Sequence, residues 1–144
     1  MDIKISSETI FYTIESTIKE YRKYSQKKLS NEVNDMTIDQ GMILAFLNKY
    51  PDKTQKEIAA MAFKDSASMT RMLDLMEKKN YLKRSINETN RRRFNIKITT
   101  KGKQVLKILT PVIANNRQHA LKGLSEEEIT QLEIILKKIK SNCT

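Results

Sequence analysis

The sequence predicts a mainly α-helical chain with one small two-stranded β-sheet. Apolar residues recur at helical spacing through most of the 144 residues, whereas residues 82–98 alternate apolar and polar side chains around a loop. Three capping-box motifs mark where helices begin. Since the hairpin follows two short predicted helices, the outline is a winged helix-turn-helix flanked by long N- and C-terminal helices.

Length and composition fit one small domain. We expect a single domain over residues 1–144, divided into a winged-helix lobe at 37–99 and a helical dimerisation lobe formed by 1–36 and 100–144. No apolar run approaches the roughly 20 residues that span a bilayer, and the N-terminus lacks the apolar segment of a signal peptide. We therefore expect a cytoplasmic protein without membrane contact. The single cysteine, Cys143, excludes an intrachain disulfide.

Positive charge is concentrated in the middle of the chain. The net charge of the chain is +10, and residues 54–104 carry 13 basic and 5 acidic side chains. Residues 1–53 are balanced at 8 and 8, and residues 105–144 carry 6 and 4. A local basic excess is typical of a surface that binds a polyanion, because neutralised phosphates release condensed counterions. The alternative is a solvated lysine-rich surface.

The N-terminal third predicts two helices separated by a turn. Ser6 or Ser7 is the expected cap of a first helix that continues toward Leu29 and is longer than a domain of this size needs. Its apolar side is formed by Ile10, Phe11, Ile14, Ile18 and Tyr21. Residues 31–36 are turn-like, and residues 37–40 form a capping box that begins the second helix. The expected buried side of that helix is Ile43, Phe46, Leu47 and Tyr50.

Residues 54–79 predict the helix-turn-helix. A second capping box at 54–57 begins a short helix, and residues 63–65 turn into a longer helix capped by Asp65 or Ser66. The apolar side of the longer helix is Met69, Met72, Leu73 and Met76. Its outer side consists of Ala67, Arg71, Asp74 and Lys78, flanked by Ser68 and Thr70. Small residues near the N-terminal end of that side allow another molecule to approach closely.

The hairpin carries the strongest functional signal. Strands are predicted at 82–86 and 94–98, and the loop at 87–93 ends in Arg91, Arg92 and Arg93. Most hairpin loops have about two to five residues, so this loop is longer than chain reversal requires. Adjacent guanidinium groups repel one another unless an anion neutralises them, and arginine enters the narrow minor groove of A·T-rich DNA. The alternative is a basic tip without a fixed partner.

The C-terminal third predicts two further helices. Thr99 or Thr100 begins a long helix that Pro111 is expected to kink and that Gly123, or the loop just after it, is expected to close. Its apolar side is Leu106, Leu109 and Ile113. A third capping box at 125–128 begins the last helix. The apolar side of the last helix is Ile129, Leu132, Leu136 and Ile139.

The terminal helices have apolar sides that must be covered. Burial against a second copy across a two-fold axis is the simplest solution, and the alternative is that these helices wrap their own domain. The residues expected at such a homodimer interface are Ile10, Ile14, Ile18, Ile113, Leu132, Leu136 and Ile139.

The chain lacks the residue patterns of an enzyme. The one histidine, His119, has no acid, nucleophile or second ligand at helical spacing, so neither a catalytic triad nor a metal pair is expected. The three glycines, Gly41, Gly102 and Gly123, lie too far apart for a phosphate-binding loop. We therefore expect no catalytic residue, no cofactor and no metal.

Four motifs in the central stretch occur in a specific order. They are Thr54-Gln55-x-Glu57-Ile58-Ala59, Thr70-Arg71-x-Leu73-Asp74-x-Met76-Glu77, Arg91-Arg92 followed by Ile96-x-Ile98-Thr99, and Gly102. Each motif is weak alone, but their order and spacing resemble the MarR family of bacterial winged helix-turn-helix transcription regulators. The long first helix, Pro111 and the start of the last helix extend the resemblance over nearly the whole chain.

This resemblance implies a homodimer on double-stranded DNA, with each recognition helix in a major groove and each wing at a minor groove. Together with the predicted outer side and the basic loop, it assigns DNA contacts to Gln55, Ser66, Ala67, Ser68, Thr70, Arg71, Arg91, Arg92 and Arg93. It also implies a small aromatic or phenolic effector bound between the dimer helices and the DNA-binding lobe. No cysteine lies in the first helix, which argues against a peroxide sensor.

Two residues depart from the family pattern. Asn80 replaces the glycine that usually follows the recognition helix, although asparagine tolerates the left-handed conformation that ends helices. Asn90 replaces the aspartate of the wing, so the carboxylate that would aim a wing arginine is absent.

The sequence therefore favours a sequence-specific, ligand-responsive repressor that binds an inverted-repeat operator. The alternative is an architectural or RNA-binding winged-helix protein without sequence readout. A specific binder should resist competition by random duplex by a factor of about 10³ or more, which separates the two.

Overall fold

The computed structural model describes residue 3, residues 5–90 and residues 94–144. These residues form six α-helices and a two-stranded antiparallel sheet, which is the predicted fold class. The elements in chain order are α1 (Ile10–Glu32), α2 (Ile38–Lys49), α3 (Gln55–Met61), α4 (Ser66–Lys78), β1 (Leu82–Ile86), β2 (Phe94–Ile98), α5 (Thr100–Ala120) and α6 (Glu126–Asn142). Among the helices of the described ranges, none is both long and apolar enough to cross a bilayer.

The predicted caps begin most of the helices. In the three capping boxes the hydroxyl group of the first residue accepts a hydrogen bond at 3.1 Å from the backbone N–H three residues later. These cap residues are Thr37, Thr54 and Ser125. Thr99 caps α5 in the same way, at 3.0 Å from the N–H of Gly102. Each bond satisfies a donor that helix geometry leaves unpaired.

The predicted bounds of α1 were wrong at both ends. Residues 6–8 form a 3₁₀ turn instead of capping the helix, because the Glu8 carboxylate accepts the N–H of Ile5 at 2.9 Å. The helix therefore starts one turn later, with Thr9 at the N-cap position. At the other end α1 continues through Asn31 to Glu32, where the N–H of Val33 still bonds to the Leu29 carbonyl at 2.9 Å.

One hydrophobic core lies beneath the helix-turn-helix. The predicted apolar side of α4 is buried, with Met69, Leu73 and Met76 fully inaccessible and Met72 partly buried. The side chains that join them in the core include Ile43, Leu47, Ile58, Leu82 and Leu109, and also Leu44 and Tyr81, which the sequence pattern did not single out.

The junction between α4, the sheet and α5 is tightly packed. A Cβ atom at Gly102 would lie 2.2 Å from the carbonyl oxygen of Tyr81 and 2.6 Å from Cγ2 of Ile98, so this position accepts only glycine. Asn80 adopts the predicted left-handed conformation, with φ of 66°, and its carbonyl accepts the Thr99 hydroxyl at 2.6 Å. The hairpin is thereby held at a fixed position relative to α4.

Candidate nucleic-acid interface

The outer side of α4 is open to solvent. Ser66, Ala67, Thr70 and Arg71 are exposed, as predicted, while Ser68 is half-buried. The other predicted contacts at the hairpin tip, Arg91, Arg92 and Arg93, lie outside the described residues.

The N-terminus of α4 is closed by its own cap. The Asp65 carboxylate accepts the N–H of Ser68 at 2.7 Å. Hydrogen bonds from Ser68 lower the pKa of Asp65 below its ordinary value, so the carboxylate is ionised at neutral pH. This negative charge lies at the positive end of the helix dipole and disfavours a phosphate there. The exposed side chains of α4 are therefore the favoured contacts with a polyanion.

Polar side chains on α3 and α4 hold one another in place. Nη2 of Arg71 donates to Oγ of Ser68 at 3.2 Å. Nε2 of Gln55, at the start of α3, donates to the Thr70 hydroxyl at 3.3 Å, and that hydroxyl donates to the Ser66 carbonyl at 2.9 Å. The predicted residues of both helices thus form one connected surface.

Arg84 joins the sheet to α4. Its guanidinium donates to the Asp74 carboxylate and, at 3.4 Å, to Glu77, whose other oxygen accepts the Arg84 backbone N–H at 2.8 Å. The one positive charge of Arg84 offsets part of the negative charge of these two acidic groups on α4, which would otherwise repel a polyanion more strongly. Sequence reasoning missed this ion pair, although the spacing of the two acids on one side of α4 was a signal for a basic partner.

Asn87 organises the start of the hairpin loop. Its Oδ1 accepts the backbone N–H groups of Thr89 and Asn90 at 2.9 and 3.1 Å and the Thr89 hydroxyl at 2.7 Å. Its Nδ2 donates to Asn95 across the hairpin at 3.0 Å. The approach to the arginine-rich tip is therefore ordered by an asparagine turn, which does not require a carboxylate at position 90.

A charged bridge connects α1 to the turn before α4. The two carboxylate oxygens of Asp39, in α2, accept Arg22 of α1 at 2.5 Å and Lys64 at 2.7 Å. Lys64 directly precedes the cap residue Asp65. Burial would raise the pKa of Asp39, but the hydrogen bonds and charges of Lys64 and Arg22 outweigh it and hold the pKa below its ordinary value.

A small apolar cavity lies beside this bridge, between α1, α2 and α5. Its volume is about 270 Å³. Its apolar walls include Ile18, Tyr21, Met42, Phe46 and Ile113, and Arg22 and Arg117 also line it. The hydroxyl of Ser25 lines the cavity too, and within the described part of the chain it is buried without a hydrogen-bond partner.

The terminal helices expose apolar side chains in the single chain. Ile10 and Ile18 are 60% and 50% exposed, and Leu132 and Leu136 are 49% and 36% exposed. The other three predicted interface residues, Ile14, Ile113 and Ile139, are half-buried, and Ile113 packs against the core of its own chain. Beside these helices, His119 stacks on Tyr24 of α1 at 4.8 Å between ring centres. No residue of α6 is buried.

Residues 36–94 match the sequence model of the MarR family. The chain is 27% identical to MepR from S. aureus, solved with DNA, at a TM-score of 0.86 over 93% of this chain and 98% of that one. It is 26% identical to the transcriptional regulator SlyA, at a TM-score of 0.82 over 93% of each chain. A MarR mutant from E. coli with operator DNA shares the fold at 24% identity and a TM-score of 0.82, over 95% and 99%.

The Asp39 bridge predicts a pH-dependent contribution to stability. Asp39→Asn should lower the free energy of unfolding by about 1 kcal/mol at pH 7, because hydrogen bonds to a charged group are lost while the partly exposed cations are solvated. Since the folded pKa lies below the ordinary 3.8, this contribution is fully present above about pH 4 and disappears as the pH falls through the folded value. Denaturant unfolding followed by circular dichroism measures both effects.

Glu20→Gln is the matched control for the Asp39 substitution, because it removes the charge of an exposed carboxylate on α1. It should change stability little at any pH. An equal loss in both variants, or a loss in Asp39→Asn that persists unchanged in acid, would contradict the stabilising role of the bridge.

Proposed function

Because residues 36–94 match the MarR family model and nearly the whole chain is similar in structure to MepR and SlyA, we propose that it is a sequence-specific DNA-binding transcription regulator of this type that acts as a homodimer. One observation carries the proposal. The outer side of α4 is exposed and bears Ala67, Thr70 and Arg71, while the opposite side is fixed in the core. A helix presented in this way fits the major groove, which is about 12 Å wide. The same likeness supports a transcription regulator rather than an enzyme.

The DNA-binding lobe in this proposal is residues 37–99. The residues of α4 that face the major groove are Ser66, Ala67, Ser68, Thr70 and Arg71. Gln55 lies near the sugar-phosphate backbone of the DNA. The sequence assigns Arg91, Arg92 and Arg93 to the minor groove, where a narrow A·T-rich groove attracts guanidinium groups. The local excess of basic side chains supports this surface as the DNA side. Because its target is chromosomal DNA, we place the protein in the cytoplasm.

Residues 1–36 and 100–144 form the dimerisation lobe in this proposal. The exposed apolar side chains of α1 and α6 support it, because a second copy related by a two-fold axis would cover them. Such a dimer presents two copies of α4 to an inverted repeat. A bound dimer blocks access to the DNA that it covers, so the simplest regulatory role is repression.

The cavity between α1, α2 and α5 is the effector site that we propose. Apolar walls suit an aromatic ring, and the Ser25 hydroxyl with Arg22 and Arg117 suits a phenol or a carboxylate. Arg22 also holds Asp39, so an anion that bonds to Arg22 competes with the bridge that leads through Lys64 to α4. Effector binding can thereby change the position of α4, the recognition helix.

A thermal-shift titration with benzoate and phenol tests the effector site. At least one compound should raise the melting temperature and weaken operator binding. Ser25→Leu, which fills the cavity, should abolish both effects, whereas Thr17→Leu, elsewhere on α1, should preserve them. Equal responses in all three proteins would place the ligand in another site, and no response to either compound would remove the support for an aromatic effector.

Substitutions in α4 and in the hairpin tip should have different effects on operator affinity, on the preference over random duplex and on the salt dependence of binding. Arg71→Ala should cost about 1 to 3 kcal/mol on the operator and narrow its preference over random duplex, because a guanidinium can bond two acceptors of one guanine. Arg92→Ala should weaken both duplexes more equally and lower the slope of log affinity against log salt by about one unit per subunit. Footprinting on DNA flanking its own gene supplies the operator, and titrations at several salt concentrations give both quantities.

Lys138→Ala is the control for loss of one positive charge, since Lys138 is exposed on α6, away from the DNA-binding lobe. It should leave the affinity and the salt slope nearly unchanged. If Arg71→Ala kept its full preference for the operator, α4 would not read bases. If Arg92→Ala matched the control, the basic tip would have no role in DNA binding.

A further inference from the structure

We propose that α4 reads the C5-methyl group of a thymine through Thr70 and Ala67, and that Gln55 is the residue that positions Thr70. The inference rests on the proposed function, because it places the outer side of α4 in a major groove. The uncharged residues Thr70 and Ala67 recognise thymine, and Arg71 recognises a guanine or a phosphate.

The Thr70 hydroxyl has no proton available for DNA. It donates that proton to the Ser66 carbonyl at 2.9 Å and accepts Nε2 of Gln55 at 3.3 Å. If the oxygen and nitrogen of the Gln55 amide were exchanged, the amide oxygen would accept the same proton, so the proton remains within the protein in either orientation. Thr70 therefore cannot donate to the acceptors that guanine, adenine and thymine present in the major groove.

The part of Thr70 that remains available is its γ-methyl group. Thr70 is exposed although its oxygen bonds to the protein on two sides. Ala67 precedes it by three residues and is also exposed, and residues at this helical spacing have Cβ atoms about 5 to 6 Å apart. The two methyl groups form a small apolar patch beside Arg71.

Thymine is the base that carries a methyl group in the major groove, and alanine and threonine methyl groups recognise it by apolar contact. Uracil lacks this methyl group, so the same contact would distinguish DNA from RNA. Arg71 extends the reading to the next position, because Ser68 engages one of its five N–H donors at 3.2 Å and a guanine can take two others. The geometry points to a half-site in which a thymine lies close to a guanine.

The test replaces each thymine of the operator half-site in turn by deoxyuridine, which removes one methyl group and leaves base pairing unchanged. Wild-type protein should lose affinity at one position by about fourfold, the value of one buried methyl group. Thr70→Ser lacks the γ-methyl but keeps the hydroxyl and its two hydrogen bonds. In a dimer on two half-sites this variant loses two such contacts, so it should bind the normal operator about fourfold more weakly per half-site, roughly 16-fold in total, and be insensitive to deoxyuridine at that position.

Two variants control the interpretation. Thr70→Val removes the hydroxyl and with it the Gln55 hydrogen bond, but it carries methyl groups at both γ positions and has one strongly preferred rotamer in a helix, so it should present a methyl group without Gln55 and retain the deoxyuridine penalty. Thr110→Ser makes the same change in α5, where another exposed threonine donates to the carbonyl four residues earlier at 2.7 Å, and it should behave as wild type. Melting temperatures of all variants should agree, because Thr70 and Thr110 are exposed.

Gln55→Ala tests the positioning role. If Gln55 holds the methyl group toward the base, this variant should reduce the deoxyuridine penalty at the thymine read by Thr70 and leave the penalties elsewhere unchanged. A role confined to stabilising α3 would instead lower affinity for every duplex equally.

A deoxyuridine penalty of the same size in wild type and Thr70→Ser at every position would overturn the inference while leaving operator binding intact. Loss of the penalty in Thr70→Val would also overturn it, because the hydroxyl would then be the group that contacts DNA. Absence of any operator preference in wild-type protein would overturn both this inference and the proposed function.

Discussion

Burial of one side of α4 determines the rest of the molecule. Met69, Leu73 and Met76 are fully inaccessible, and burying a side chain of this kind contributes roughly 1.5 to 3 kcal/mol. Partly exposed ion pairs such as that of Arg84 contribute about 1 kcal/mol or less. The core therefore fixes how α4 is rotated about its axis, and the ion pair holds the hairpin against a helix that is already in place. The side left facing solvent is the one that carries Thr70 and Arg71.

The connection between the terminal helices and α4 follows from a second constraint, the burial of a charge. Asp39 is only partly exposed, so its carboxylate needs cationic partners, and it finds one on α1 and one in the turn before α4. A shift of α1 therefore changes the surroundings of Lys64, which adjoins the cap of the recognition helix. The apolar cavity borders the same bridge at Arg22. The Asp39 carboxylate therefore links α1, the wall of the cavity and the turn before α4.

Most of the fold could be predicted because its determinants are local. Capping boxes gave the first residues of α2, α3 and α6, and alternating apolar residues gave both strands. The start of α1 could not be predicted, because Ser6 and Glu8 are as compatible with a 3₁₀ turn as with the first turn of an α-helix. The contacts of Asp39 and Thr70 with distant residues leave no periodic trace in the sequence, and the spacing of the acids on α4 indicates a basic partner without identifying Arg84. The sequence indicated which residues face solvent on α4, but not which of their hydrogen-bonding groups are already occupied.

In the proposed complex, two copies of α4 held by one dimer read an inverted repeat. The most direct test combines a footprint with the mass of the protein–DNA complex in solution, measured by light scattering. Protection of an inverted repeat with half-sites about 10 to 11 base pairs apart, by two chains per duplex, is the expected result. Ile18→Asp combined with Leu132→Asp should prevent this complex, since both side chains are exposed in the single chain. A direct repeat, or a single chain bound at an asymmetric site, would contradict the account.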